Sequence, residues 1–409
     1  MAGRGLGRRF GWLWAAYAVS TAGTWLAFDA LPLVAILVLH AGPAEVAALA
    51  AAGRAAGAVL AVPIGPWVES HRKRPVMVAA DLVRCAALLS VPVAFLLGRL
   101  GFTQLLVVAV VATAADHAFR AAAGAYLRAL VAPADLLVAN ARFEATTWTA
   151  TALGPPLGGA GMGLFGPLAT VLADAASFLL SALGIRAIGG PESRPVPAAA
   201  HRRGPADLLA GWRHVLADPV LRPLFVHTAL VNGLILATAP LLAVLMLGPL
   251  GFTPWQYGLA FAAPCVGGLV GSRLAGPLVA RFGRRRVLRA AGALRVCWPV
   301  GLAFVGPGTP GLLLVIAVEL GLITCTGVFN PVLATERLDR TPADRVARTL
   351  TAWSVSNGLV VAALTAAGGV LAAAVGPRAV IAAAGVLLLA TPVVLPGEDL
   401  PARRRYGTR

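Results

Sequence analysis

Twelve runs of apolar residues, each about 20 residues or longer, dominate the chain, and that length is what a helix needs to cross about 30 Å of hydrocarbon. Their approximate cores are 12–39, 44–68, 76–98, 103–127, 137–163, 167–188, 223–247, 255–280, 286–305, 311–334, 346–374 and 377–396. A soluble globule cannot hide so many apolar stretches. With 58% hydrophobic and only 12% charged residues, the 409-residue chain lacks the polar surface to try. The pattern predicts an all-α polytopic membrane protein. Proline and glycine within the runs do not argue against helix, because neighbouring helices can satisfy the freed backbone groups. Arg8 and Arg9 before the first run resemble the start of a signal peptide, but the run is too long and leads directly into another, so it is read as the first span.

A formal charge of +17 would suit a nucleic-acid partner, so the position of the charges has to decide. The basic residues gather in alternate connections: Arg72 to Arg74, Arg128 and Arg142, Arg186 to Arg222, Arg281 to Arg289, Arg337 to Arg348, and both termini. Arg99 and Arg378 alone among loop residues fall on the other side. The positive-inside rule accounts for this distribution and predicts a multi-pass protein of the inner (cytoplasmic) membrane with both termini in the cytoplasm, touching lipid and no nucleic acid.

Two short stretches divide the chain. The first is Gly65-Pro66-Trp67-Val68-Glu69-Ser70-His71-Arg72-Lys73-Arg74 and the second Gly276-Pro277-Leu278-Val279-Ala280-Arg281-Phe282-Gly283-Arg284-Arg285. They lie 276 − 65 = 211 residues apart, about half the chain, which points to an internal duplication. Both resemble the Gly-x-x-x-Asp-Arg-x-Gly-Arg-Arg loop of the major facilitator superfamily. The first copy carries Glu69, Ser70 and Arg72 where the motif has Asp, Arg and Gly; the second departs only at Ala280. The resemblance implies twelve transmembrane helices in two pseudo-symmetric six-helix bundles, residues 1–188 and 221–409. Between them 189–220 reads as a cytoplasmic linker, with Leu208, Leu209, Trp212 and Val215 at the spacing of an amphipathic helix. The eleventh span is expected to start at Thr341-Pro342-Ala343-Asp344, Thr341 capping it.

Ionisable residues inside spans are costly and mark function or pairing. The acids are Asp29, Asp81, Asp116, Asp174 and Glu319, the bases Arg54, Arg84, Arg120, Arg273 and Arg295. Asp81, Arg84 and Arg273 lie near the basic ends and are read as partners of the signature loops. In the superfamily, spans one, four, seven and ten line a central cavity. That resemblance puts Asp29, Asp116, Arg120 and Glu319 on its walls, with Asn232 and Thr228 as neutral donors. Asp29 and Glu319 are the expected proton or cation sites, against structural pairing with an arginine of another helix; Asp116 and Arg120, one turn apart, are either a coupling pair or a plain intrahelical ion pair.

Arg120-Ala121-Ala122-Ala123-Gly124 resembles the Arg-x-x-Gln-Gly of span four in drug:proton antiporters, with Ala123 for the glutamine. Gly154-Pro155-Pro156-Leu157-Gly158-Gly159 resembles their Gly-Pro-x-x-Gly-Gly motif, and the alternative is ordinary small-residue packing. Ala30-Leu31-Pro32-Leu33, Ala80-Asp81-Leu82-Val83-Arg84 and Asp174 to Leu179 resemble siderophore and macrolide exporters of bacteria, although the acid usual in the first span is replaced by Thr24. The loop residues Glu69, Arg72, Lys73, Arg74, Arg281, Arg284 and Arg285 read as a latch between the cytoplasmic ends.

Cys85, Cys265, Cys297 and Cys325 sit in apolar runs without ligand spacing, so no metal or disulfide is expected. The absence of a Gly-x-x-x-x-Gly-Lys-Ser/Thr loop argues against ATP hydrolysis, leaving a proton gradient as the energy source and no cofactor. The resulting expectation is no enzyme but a monomeric secondary transporter, a proton-coupled exporter of an amphipathic small molecule. A proton-coupled nutrient importer and a transport-incompetent scaffold or sensor are the alternatives.

Overall fold

A computed structural model describes residues 7–27, 30–132, 135–190, 192, 209–342 and 345–395, and the described residues are helical throughout, with no strand. The helices are α1 (Arg8–Leu26), α2 (Ala30–Leu37), α3 (Pro43–Ser70), α4 (Lys73–Leu96), α5 (Phe102–Leu130), α6 (Leu136–Phe165), α7 (Pro167–Ala187), α8 (Ala210–Ala217), α9 (Leu221–Leu247), α10 (Pro254–Ala262), α11 (Cys265–Phe282), α12 (Arg284–Leu294), α13 (Gly308–Asp339), α14 (Val346–Val375) and α15 (Pro377–Ala390). Among the described residues, eleven helical stretches are long and apolar enough to cross a membrane. The remaining expected span, the fifth, is the 30-residue α6. Large apolar side chains such as Leu82, Val93, Leu96, Leu183 and Val386 stay exposed on the outer helix faces, an arrangement that hydrocarbon favours and water does not.

In the first span α1 ends at Leu26 and α2 begins at Ala30, with residues 28 and 29 outside the described set. Two other spans are broken rather than continuous. The eighth breaks at Ala263-Pro264, where proline supplies no N–H, and the ninth leaves α-helix after Leu294 for a 3₁₀ turn at Pro299–Phe304. Sequence periodicity reads straight through such points because composition stays apolar.

Helices α1 to α7 pack into one bundle and α9 to α15 into a second. The bundles meet mainly through α3 against α14 and α6 against α10. Close approach occurs toward the end opposite the basic loops: Gly369 of α14 lies on Ala44 and Ala47 of α3, and Gly159 of α6 lies on Pro254 of α10. Leu247 at the end of α9 also packs into the apolar cluster around α2.

Of the expected linker helix, Ala210–Ala217 is described, and residues 205–208, Leu208 among them, lie outside the described residues. It docks on protein: Trp212 Nε1 donates to Ser356 Oγ of α14 at 2.8 Å, and Gly211 lies against the Arg348 carbonyl. Thr341 Oγ1 donates to the Arg337 carbonyl at 2.7 Å, and α14 is described from Val346; the expected cap at Thr341 involves residues 343 and 344, which lie outside the described set.

Candidate functional site

The strongest concentration of intramembrane charge lies inside the first bundle, on α4, α5 and α7. Asp81 and Arg84 are three residues apart on α4 and pair directly. Arg84 Nη1 also reaches Asp116 Oδ1 on α5 at 3.1 Å, and Asp116 Oδ2 accepts from Arg120 Nε at 2.6 Å. The guanidinium of Arg84 is held between two rings, 4.8 Å from the centroid of Phe119 and 4.1 Å from that of Phe178. Side-chain exposure rises along the series, from 0% at Asp81 and 6% at Arg84 to 30% at Asp116 and 66% at Arg120. The alternating charges form a line from the protein interior to an open surface.

A third carboxylate, Asp174 of α7, is buried beside this line. Thr24 Oγ1 donates to its Oδ1 at 3.3 Å and Ser177 Oγ at 3.4 Å. Gly23 makes room for it, since any β-carbon there would collide with Ser177. The charge line borders a cavity of about 490 Å³ whose wall includes Thr24, Trp25, Asp116, Arg120, Asp174 and Phe178. Ala27, after the end of α1, and Ala30, at the start of α2, also face it. A mixed-charge, aromatic-edged cavity is the arrangement expected of a polar solute site within a membrane protein.

The expected site residues divide in two. Asp116 and Arg120 are both part of the charge line, and the intrahelical pair forms. Asn232 and Glu319 are elsewhere, in the second bundle. Asn232 Nδ2 donates to Asn357 Oδ1 at 3.0 Å, joining α9 to α14; Glu319 on α13 is half-buried and within electrostatic reach of Cys265. Asp29 lies outside the described residues. Asp81 and Arg84 are not partners of the signature loops; they turn inward to Asp116. Arg273 is exposed on α11 and makes no ion pair among the described residues. The line could have been glimpsed in the i, i+3 spacing of Asp81 and Arg84, but its closure with Asp116 and Asp174 needs three helices to converge.

In each signature loop, the described contacts of one arginine, Arg74 in the first and Arg284 in the second, fall within the same half of the chain. Gly65 lies in α3, and the side chain of Glu69 is outside the described residues. Arg72 is exposed, and Lys73 Nζ donates to the carbonyls of Val68 and His71, each at 2.7 Å. Arg74 donates to the carbonyls of Gly189 and Gly190 at 2.7 and 2.6 Å, where positive φ angles end α7, and Glu192 accepts from the backbone N–H groups that open α4. In the second loop, Gly276 and Gly283 meet nothing that a β-carbon would strike, although Gly283 has φ +80°. Arg281 lies over Phe282, and Arg285 sits in the first turn of α12. Arg284 contacts Asp339 at 2.5 Å and Glu336 at 3.4 Å; Glu336 in turn holds Arg340, which reaches Asp218 at the start of α9.

The glycine-proline segment of α6 is a three-way contact. Gly154 lies on Trp25 and Gly158 on the Leu26 carbonyl, both at the end of α1. Gly159 faces the Pro254 carbonyl of α10, and the Pro155 carbonyl faces Gly258. Pro155 and Pro156 are accommodated without interrupting α6. Among the described residues, no group of three or more His, Cys, Asp or Glu is placed to hold a metal ion, and the four cysteines are unpaired.

The model of the Major Facilitator Superfamily matches the chain over residues 13–335 and again over 235–407. A comparison with curated protein sequences finds no match. Among solved structures, the nucleoside transporter NupG superposes with a TM-score of 0.75 at 11% identity, covering 95% of this chain and 98% of that one. A bacterial homologue of the iron transporter ferroportin in an inward-facing state gives 0.74 at 19% identity, covering 94% and 98%. A bacterial homologue of the same transporter in an outward-facing state gives 0.62 at 19% identity, covering 95% and 98%.

Proposed function

The chain belongs to the major facilitator superfamily and is a multi-pass membrane transporter rather than an enzyme, and from that premise we propose that it is a proton-coupled antiporter exporting an amphipathic small molecule by alternating access. The observation that carries the coupling is a charge count. Asp81, Asp116 and Asp174 face Arg84 and Arg120, so with all five ionised the cluster has a formal charge of 2 − 3 = −1. One proton neutralises it, and its outer members stand on the cavity wall, where a solute can compete for the same contacts. Glu319, set apart in the second bundle, is a second candidate carrier, and Asp29 adjoins the cavity in sequence.

On this reading the basic loops face the cytoplasm, the termini lie on the same side, residues 1–188 and 221–409 are the moving bodies and 189–220 links them. The α6–α10 and α3–α14 contacts then close the outer end, leaving the cavity to open inward. When the bundles rock, the signature loops release their present partners and approach one another, as a latch. A proton-coupled importer of a small nutrient on the same fold is the second reading.

Proteoliposomes of known orientation with an imposed pH gradient, an internal pH dye and lipophilic dyes of either charge test the proposal. Dye moving against proton flow in wild type, and uncoupled in Asp116→Asn or Asp174→Asn, supports it. Dye and protons moving together would replace export by import, and proton flux that ignores both substitutions would remove the cluster from the mechanism.

A further inference from the structure

The offset of 211 residues that pairs the two signature loops also pairs Arg84 with Arg295, since 84 + 211 = 295. Both are buried in the third span of their bundle, and both lie against phenylalanine, Arg295 with its guanidinium carbon 3.9 Å from the centroid of Phe329. Their electrostatic surroundings differ. The offset positions of Asp81 and Asp116, the two carboxylates that neutralise Arg84, are 292 and 327, and both are glycine. Gly292 leaves its space to Phe329 and Leu395, and Gly327 lets α13 close on Gly268 of α11.

Arg295 is therefore a cation only 1% exposed, at membrane depth, with no carboxylate partner among the described residues. An arginine cannot shed its proton to relieve that burial. The C-terminal pole of α12, which ends at Arg295, offsets part of the charge but accepts no hydrogen bond from the side chain. His227, across Phe329, has Nδ1 at 3.1 Å from the Thr391 carbonyl and adds no negative charge. The unpartnered donors are Nε and Nη2, and these form one of the two edges of the guanidinium along which N–H bonds run parallel. That edge is the fork that grips the two oxygens of a carboxylate or a single halide. Thr228, on α9 with His227, has a buried hydroxyl that is also without a partner.

We propose that the Nε–Nη2 edge of Arg295 binds a small monoanion, chloride or a carboxylate group, inside the second bundle. Where the first bundle carries its counter-charge covalently, the second takes it from solution or from a bound solute. The duplication thus yields a cation-accepting site in one bundle and an anion-accepting site in the other.

The test is thermal unfolding of the purified full-length protein in nanodiscs, titrating chloride, formate or octanoate against methanesulfonate at fixed ionic strength. Saturable stabilisation by chloride and formate is expected, with apparent affinity falling about tenfold or more in Arg295→Gln. If octanoate alone stabilises, and Arg295→Gln abolishes it, the anion is the carboxylate of a larger solute. Gly292→Asp restores the acid of the first bundle three residues before Arg295 and should remove the anion dependence even if Arg295→Gln fails to fold. Wild-type unfolding indifferent to all three anions, or a dependence unchanged in these variants, would overturn the assignment.

Discussion

Substituting alanine for Gly159 tests whether the α6–α10 contact is a gate. A β-carbon at that position stands 2.6 Å from the Pro254 carbonyl oxygen and 3.2 Å from the Trp255 Cα, whereas ordinary contact begins at 3.4 Å, so the helices must part by 3.4 − 2.6 = 0.8 Å. Both obstacles are backbone and cannot rotate away. Overpacking of this kind costs about 1–3 kcal/mol. If the penalty falls only on the state in which these ends touch, a value of about 2 kcal/mol shifts the balance between states about 30-fold toward the one in which they are apart. Spin labels on Leu164→Cys and Val375→Cys, exposed at that end in different bundles, report the separation in a background without the native cysteines. The Gly159→Ala protein should gain a longer-distance population. Gly161→Ala, where a β-carbon meets nothing within 4 Å, should not. An unchanged distance distribution with a lowered unfolding temperature would show that the contact is static packing, and the gating argument would fail.

Arg84→Gln should lower stability by about 3–5 kcal/mol, because Asp81 stays fully buried without its counter-ion; adding Asp81→Asn should recover much of the loss in the same unfolding assay. An effect below about 1 kcal/mol would mean that the pair is not buried as described. Trp212→Phe removes the bond to Ser356 and should raise hydrogen exchange in α8, at a cost of about 1 kcal/mol, while the spans keep their protection. Arg284→Ala should cost less than about 1 kcal/mol and be sensitive to salt, since Arg284 and Asp339 are 37% and 57% exposed. A large, salt-independent loss would contradict the surface position of that pair.

Much of the architecture is legible in one dimension because a bilayer accepts few solutions. Every backbone polar group must be satisfied within its own segment, so the apolar runs read directly as helices, and the duplicated basic loops mark the halves. The segment Gly154 to Gly159 was also readable as a site of close approach, because only glycine admits a neighbouring backbone so near. The helix breaks at Ala263-Pro264 and after Leu294 were not, since apolar composition continues through them. Nor was the site: Asp116 and Arg120 carry a spacing that sequence records, but Asp174 is 150 residues from Thr24, and Arg84 meets Asp116 across two helices.

The chain alone thus determined that it spans the membrane, how many times, and that it is built twice over, because hydrophobic length and charge placement are local properties. Tertiary structure decided which charges neutralise one another. Arg84 and Arg295 are equivalent by position in the duplication, yet one is enclosed by carboxylates and the other, among the described residues, is left without them. That difference depends on what neighbouring helices bring within about 4 Å, where electrostatic energy in a low-dielectric interior is set.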